Sequence, residues 1–164
     1  MGAGKTTIGR HLASELSLPF VDTDQEIEDR SGADIPWIFD VEGEEGFRLR
    51  ETKVLQDVCG SAAAVVATGG GIVVTEANRP LMQDNGITIY LHATIKQQLS
   101  RTGKDRSRPL LNEGEPEQVL TALMAIREPL YRSLADIVYQ TDNRNPKTTA
   151  KELAQAVNAL ATDH

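Results

Sequence analysis

The segment Gly2-Ala3-Gly4-Lys5-Thr6-Thr7 constrains this chain more than any other feature. It matches the end of G-x-x-x-x-G-K-[ST], a loop whose backbone N–H groups surround phosphate oxygens. Such a loop opens a helix whose positive N-terminal end faces the bound anion. Ile8, Leu12, Ala13 and Leu16 recur at helical spacing, so residues 7–16 supply that helix with one buried stripe. The glycines let the backbone approach phosphate, Lys5 neutralises charge on the β and γ phosphates of ATP, and Thr6 offers its hydroxyl to Mg2+. The motif's first glycine would lie three residues before Gly2, whereas the chain starts one residue before it. The strand that leads into such a loop is also absent from the chain, so a truncated or misassigned start is expected. Its loss would expose two neighbouring strand edges. Met1, Gly2 and Thr6 also fit an N-myristoylation pattern, which accounts for fewer residues than the phosphate loop does.

Beyond this loop, strand and helix signals alternate. A strand at residues 18–21 runs into Asp22, Thr23 and Asp24, and a helix follows at 25–30. Ser31 and Gly32 end it. Pro36 opens a second helical stretch that stops near Gly43, and residues 44–58 form a longer helix. The apolar, β-branched run at 63–68 ends in Gly69, Gly70 and Gly71, as expected of a buried parallel strand entering a loop. Helices at 76–84, 94–101, 117–134 (interrupted by Pro129) and 148–160 alternate with strands at 87–91 and 137–139. Residues 103–114 are polar, charged and aperiodic, which predicts a mobile loop. The alternation implies an α/β fold: a parallel sheet covered by helices on both faces, in one domain over residues 1–164.

Composition narrows the partners. A net charge of −7 without a run of Lys or Arg argues against nucleic acid, whose phosphates would be repelled. One cysteine, Cys59, excludes an intrachain disulfide and fits a reducing cytoplasm. The longest apolar run, residues 62–67, is far below the ~20 residues that span a bilayer, so no membrane partner is expected.

The acceptor side of a phosphoryl transfer has its own candidates. Asp22 and Asp24 alternate at a strand end beside the phosphate loop. One can hold magnesium through water while the other accepts a hydrogen bond from the acceptor hydroxyl and helps remove its proton. Both also stand where they would cap the next helix. Arginine grips carboxylate or phosphate through two parallel hydrogen bonds, and Arg48, Arg101, Arg108, Arg127 and Arg144 are candidates. Arg108, in the long polar loop, suits a lid that brings positive charge to the transferring group. Trp37 and Phe39 are read as core residues, Phe47 beside Arg48 as a pocket wall, and His11 has no catalytic role.

Taken together, GAGKTT, VDTD, EEGFR, ATGGG, RSRPLL, IREPLY and TDNRNP resemble the shikimate kinase family, in order and spacing, from Met1 to the last helix. The resemblance implies ATP- and Mg2+-dependent phosphorylation of the 3-hydroxyl of shikimate by a cytoplasmic monomer, a step toward chorismate and the aromatic amino acids. It implies that Lys5 and Thr6 serve phosphate and metal within the loop Gly2 to Thr7, and that Asp22 supports the metal through water. Asp24 would bind the substrate hydroxyls and act as base, and Arg48 and Arg127 would clamp the carboxylate. Gly69, Gly70 and Gly71 would let backbone approach the ring. Arg108 would reach over the phosphates from a lid at about residues 102–114, and Arg101, Arg144 and Pro146 would border the adenine. The substrate region would span about residues 24–60. The family fold is a P-loop three-layer αβα domain with a five-stranded parallel sheet of order 2-3-1-4-5, of which this chain supplies four strands. Rival readings are another small-metabolite or nucleotide kinase, and an inactive nucleotide-binding fragment.

Overall fold

A computed structural model describes residues 4–102, 115–142 and 144–163. Gly2, Ala3, Arg108 and nearly all of the expected lid lie outside these residues. In chain order the elements are α1 (Lys5–Leu16), β1 (Phe20–Asp22), α2 (Thr23–Ser31), α3 (Ile35–Cys59), β2 (Val65–Ala67), α4 (Asn78–Asn85), β3 (Ile89–His92), α5 (Ile95–Thr102), α6 (Pro116–Leu134), β4 (Ile137–Gln140) and α7 (Pro146–Thr162). A 3-10 turn, Gly70–Val74, joins β2 to α4.

Local chemistry explains the boundaries. Gly4 precedes α1 in the left-handed region at φ 77°. The Asp22 side chain accepts from the backbone N–H groups of Asp24 and Gln25 and so caps α2, while Asp34 accepts from Trp37 N at 2.9 Å and caps α3. Asn145 does the same for α7, and Pro116 and Pro146 occupy first-turn positions, where the missing N–H costs nothing. The two helices expected on either side of Gly43 are both present within the span of α3: Gly43 is non-helical, at φ 72° and ψ −179°, a conformation open to glycine at little steric cost, and it separates them. Pro129 does not interrupt α6; it sits on an exposed position of a helix held by its apolar face.

The four strands form two parallel pairs rather than one sheet. β1 pairs with β2 in the register Phe20 to Val65 and Asp22 to Ala67, and β3 pairs with β4 in the register Ile89 to Ile137 and His92 to Gln140. A cavity of about 580 Å³ is lined by both β2 and β3. Ile8 and Leu12 of α1 pack on Ala150, Leu153 and Ala154 of α7, and Val65, Ile89, Leu91, Ile137 and Tyr139 lie against this cluster. A second cluster, Ile27, Ile35, Ile38, Phe47 and Val54, joins α2 to α3. Trp37, expected in the core, is 61% exposed: its helical position turns away from the stripe of Ile35, Ile38 and Phe47. Phe39 does pack, with its ring 4.8 Å from that of Phe47.

At Gly9, α1 lies close to β1: a Cβ there would fall 2.7 Å from the Phe20 ring. Gly9→Ala should therefore destabilise the protein by about 1–3 kcal/mol through overpacking, read as a lowered midpoint in thermal unfolding. An unchanged midpoint would mean that Phe20 moves aside without cost.

Candidate active site

The N-terminal end of α1 meets the end of β1 through two oxygen atoms. Thr6 Oγ1 donates to Asp22 Oδ2 at 3.3 Å, while Asp22 Oδ1 takes the α2 amides. The capping and site readings of Asp22 thus coexist: one carboxylate oxygen caps and the other lies beside the Thr6 hydroxyl. Asp24, two residues on, stands in the first turn of α2 and is half-buried. Lys5 and Thr7 complete this helix end with Gly4, Lys5 half-buried and Thr7 exposed.

A polar cluster is built beside it on the second half of α3. Arg48 donates through Nη1 to Glu51 Oε1 at 3.1 Å and through Nη2 to Glu44 Oε1 at 3.3 Å. The two α3 residues lie three apart, one above the other on a single helix face. Glu51 has no exposed surface, and the Arg48 side chain is 14% exposed. Burial, the largest influence, pushes the Glu51 carboxyl from an ordinary 4.5 up to about 7 against the lowering pull of Arg48.

The glycines after β2 make room for these groups. A Cβ on Gly69 would fall 2.8 Å from Asp24 Oδ1 and 3.3 Å from Glu51 Oε2. On Gly71 it would fall 2.4 Å from Arg48 Nη2. Side chains at these positions would displace the ion pair itself, so backbone alone can lie beneath it.

From the opposite side comes α6. Arg127 is 3% exposed, and burial, its largest influence, holds its guanidinium below the ordinary arginine range. It hydrogen-bonds to Tyr131, whose hydroxyl donates to the Gly70 carbonyl at 2.5 Å. Burial pushes the Tyr131 hydroxyl up. Asp24, Arg48, Glu51 and Arg127 act on one another electrostatically, so the fold gathers them into one site. Among the described residues, the buried atoms Arg48 Nε, Arg127 Nε and Glu51 Oε2 have no hydrogen-bond partner. Buried polar atoms of this kind normally have one, and two guanidiniums together can take an anionic group.

Three further expected residues lie apart from this cluster. Arg101 lies in the last turn of α5 and is exposed. Arg144 is held by Asp142 at 3.1 Å and Glu152 at 3.2 Å, and Pro146 begins α7. Sequence reading missed Glu51 and Tyr131. Glu51 carried one usable signal, its i+3 spacing from Arg48 on a helix, whereas Tyr131 carried none beyond i+4 spacing from Arg127.

Comparison with known proteins gives a consistent result. The family model described as Shikimate kinase matches residues 1–158. The chain is 52% identical over 160 residues to a shikimate kinase of Pseudomonas aeruginosa strain LESB58, covering 98% of this chain and 93% of that one. It is 53% identical over 159 residues to one from Hahella chejuensis, covering 97% and 83%. A solved structure of shikimate kinase from Acinetobacter baumannii in complex with shikimate superposes with a TM-score of 0.94 at 46% identity, covering 97% of this chain and 89% of that one.

The raised Glu51 carboxyl carries a stability signature. The folded protein holds a proton there up to about pH 7, while an unfolded carboxyl releases it near 4.5. The stabilisation is complete below 4.5 and is lost as pH rises through about 7. The thermal midpoint should fall across that window, and Glu51→Gln should flatten the slope. A slope that persists in the variant would assign it to another group.

Proposed function

The chain belongs to the shikimate kinase family, and from that premise we propose how its residues carry out the family's reaction. The enzyme is an ATP-dependent kinase with the α/β P-loop kinase fold, and it acts on shikimate. The transfer takes the γ-phosphoryl of ATP to the 3-hydroxyl of shikimate, giving shikimate 3-phosphate and ADP. One observation carries the residue assignment: two guanidiniums, Arg48 and Arg127, each keep a buried Nε–H without a hydrogen-bond partner among the described residues, in the cluster that holds Asp24.

In this reading Arg48 and Arg127 clamp the shikimate carboxylate by charge-assisted hydrogen bonds, and the backbone of Gly69, Gly70 and Gly71 lies against the ring. Asp24 accepts a hydrogen bond from the 3-hydroxyl, aligns its oxygen toward the γ-phosphorus and takes its proton. The α1 amides with Gly2, Ala3, Gly4, Thr6 and Thr7 cradle the phosphates, and Lys5 neutralises charge that shifts toward the leaving oxygen. Arg108, on a lid over about residues 102–114, approaches the phosphates. Arg101, Arg144 and Pro146 border the adenine. Glu51 holds the Arg48 fork in place through their 3.1 Å hydrogen bond.

Magnesium fits the donor set at the loop. Thr6 Oγ1 and Asp22 Oδ2 are two hard oxygens 3.3 Å apart, and Mg2+ takes one or two protein oxygens plus phosphates and water. Thr6 and, through water, Asp22 would hold it. When bound, the ion neutralises charge on the β and γ oxygens.

The five-stranded sheet of order 2-3-1-4-5 belongs to the same reading. Here β1 and β2 stand as its strands 2 and 3, β3 and β4 as strands 4 and 5, and the central position falls between β2 and β3. The cavity lined by those two strands supports it. A single domain, acting as a cytoplasmic monomer, completes the proposal; among the described residues no helix is long and apolar enough to cross a membrane.

Two substitutions test the roles separately. Asp24→Asn should lower kcat by about 10²–10⁴-fold with the calorimetric Kd for Mg·ATP unchanged, and near-normal turnover would remove Asp24 as base. Arg127→Met should raise KM for shikimate by about 10–100-fold, the value of one or two hydrogen bonds to a charged group, and should lose little more on shikimate methyl ester. An unchanged KM would remove the clamp.

A further inference from the structure

Arg127 and Tyr131 lie four residues apart on α6, so their side chains leave the same face of the helix. The Tyr131 hydroxyl donates to the Gly70 carbonyl at 2.5 Å and shares a hydrogen bond with Arg127. The direction of this chain is fixed by its chemistry. A guanidinium only donates and a carbonyl only accepts, so a phenol with one O–H must take from Arg127 and give to Gly70. Burial pushes the Tyr131 hydroxyl up from an ordinary 10, which keeps its proton in place near neutral pH. The ring is fixed as well: its centroid lies 4.9 Å from that of Tyr90, and it packs on the cluster of Leu55, Ile72, Val73 and Leu134.

We propose that Tyr131 is a positioning residue for the phosphoryl acceptor: its hydroxyl aims the Arg127 guanidinium at the substrate carboxylate and keeps it in register with the glycine loop under the ring. The two arginines of the site are held differently. Arg48 is gripped by two carboxylates, Glu51 and Glu44, whereas Arg127 bonds to the neutral Tyr131. A hydroxyl fixes a guanidinium without cancelling its charge, as a carboxylate in the same place would do, so the charge is left for an anionic group of the ligand. The loop has separate supports at its far end, where Asn78 Nδ2 donates to the Ile72 carbonyl at 2.9 Å and Arg79 Nε to the Val73 carbonyl at 3.0 Å. Tyr131 holds the near end, at Gly70, and is the group that joins the loop to Arg127. A tyrosine that served packing alone would need its ring and not its oxygen.

This inference rests on the carboxylate clamp proposed above, and its test separates the two. Tyr131→Phe keeps the ring and removes the junction. KM for shikimate should rise about tenfold, the scale of one hydrogen bond to a charged group, while kcat and KM for ATP stay near their starting values, the pattern of lost ground-state binding. In an Arg127→Met background the same change should cost little more, because its effect runs through the arginine. Equal losses in both backgrounds would mark a merely structural tyrosine and overturn the proposal. An unchanged KM in Tyr131→Phe, with KM raised in Arg127→Met, removes the positioning role and leaves the clamp standing. An unchanged KM in Arg127→Met removes both. Should Tyr131→Phe not fold, Tyr131→4-aminophenylalanine keeps the ring and a donor toward Gly70 but offers Arg127 a poor acceptor. KM for shikimate should still rise severalfold in that variant, and an unchanged value overturns the proposal.

Discussion

The apolar contact between α1 and α7 holds the molecule's two halves at a fixed distance. β2 pairs with β1 and β3 with β4, so among the described strands no ladder hydrogen bond joins one pair to the other. Ile8 and Leu12, with Ala150, Leu153 and Ala154, touch Val65 on one side and Ile89, Leu91 and Ile137 on the other. Each large apolar side chain buried there contributes about 1.5–3 kcal/mol. The same helix begins at Lys5 and Thr6, so the placement of the phosphate-facing amides depends on this cluster. The N-terminal end of α1 is thereby tied to α7.

The acceptor side follows a different rule. Arg48, Glu51, Arg127 and Asp24 are gathered where water is scarce, and among the described residues Arg48 Nε, Arg127 Nε and Glu51 Oε2 find no hydrogen-bond partner. Such an arrangement costs folding stability, because desolvated groups are poorly compensated until a ligand supplies the missing contacts. Its charges face one another across glycine, at a separation set by α3 on one side and α6 on the other.

Much of this was legible in the sequence. The helix after Gly4, the aspartates at a strand end, the three glycines after an apolar run and the alternation of elements all follow from spacing and residue type. What escaped was set by tertiary geometry. Trp37 has the composition of a core residue, yet its place on α3 faces solvent. Glu51 carries the most perturbed carboxyl of the site, but an isolated glutamate on a charged helix gives no sign that it will be enclosed.

The close fit of the Arg48 guanidinium over Gly71 also limits how this chain can evolve. Any larger residue at 71 meets the arginine fork at under 3 Å, so it becomes tolerable only after position 48 has shortened. A shorter residue at 48 in turn leaves Glu51 enclosed without its cation. The two intermediates on that route are both worse than either end, which makes the pair change together or remain as it is.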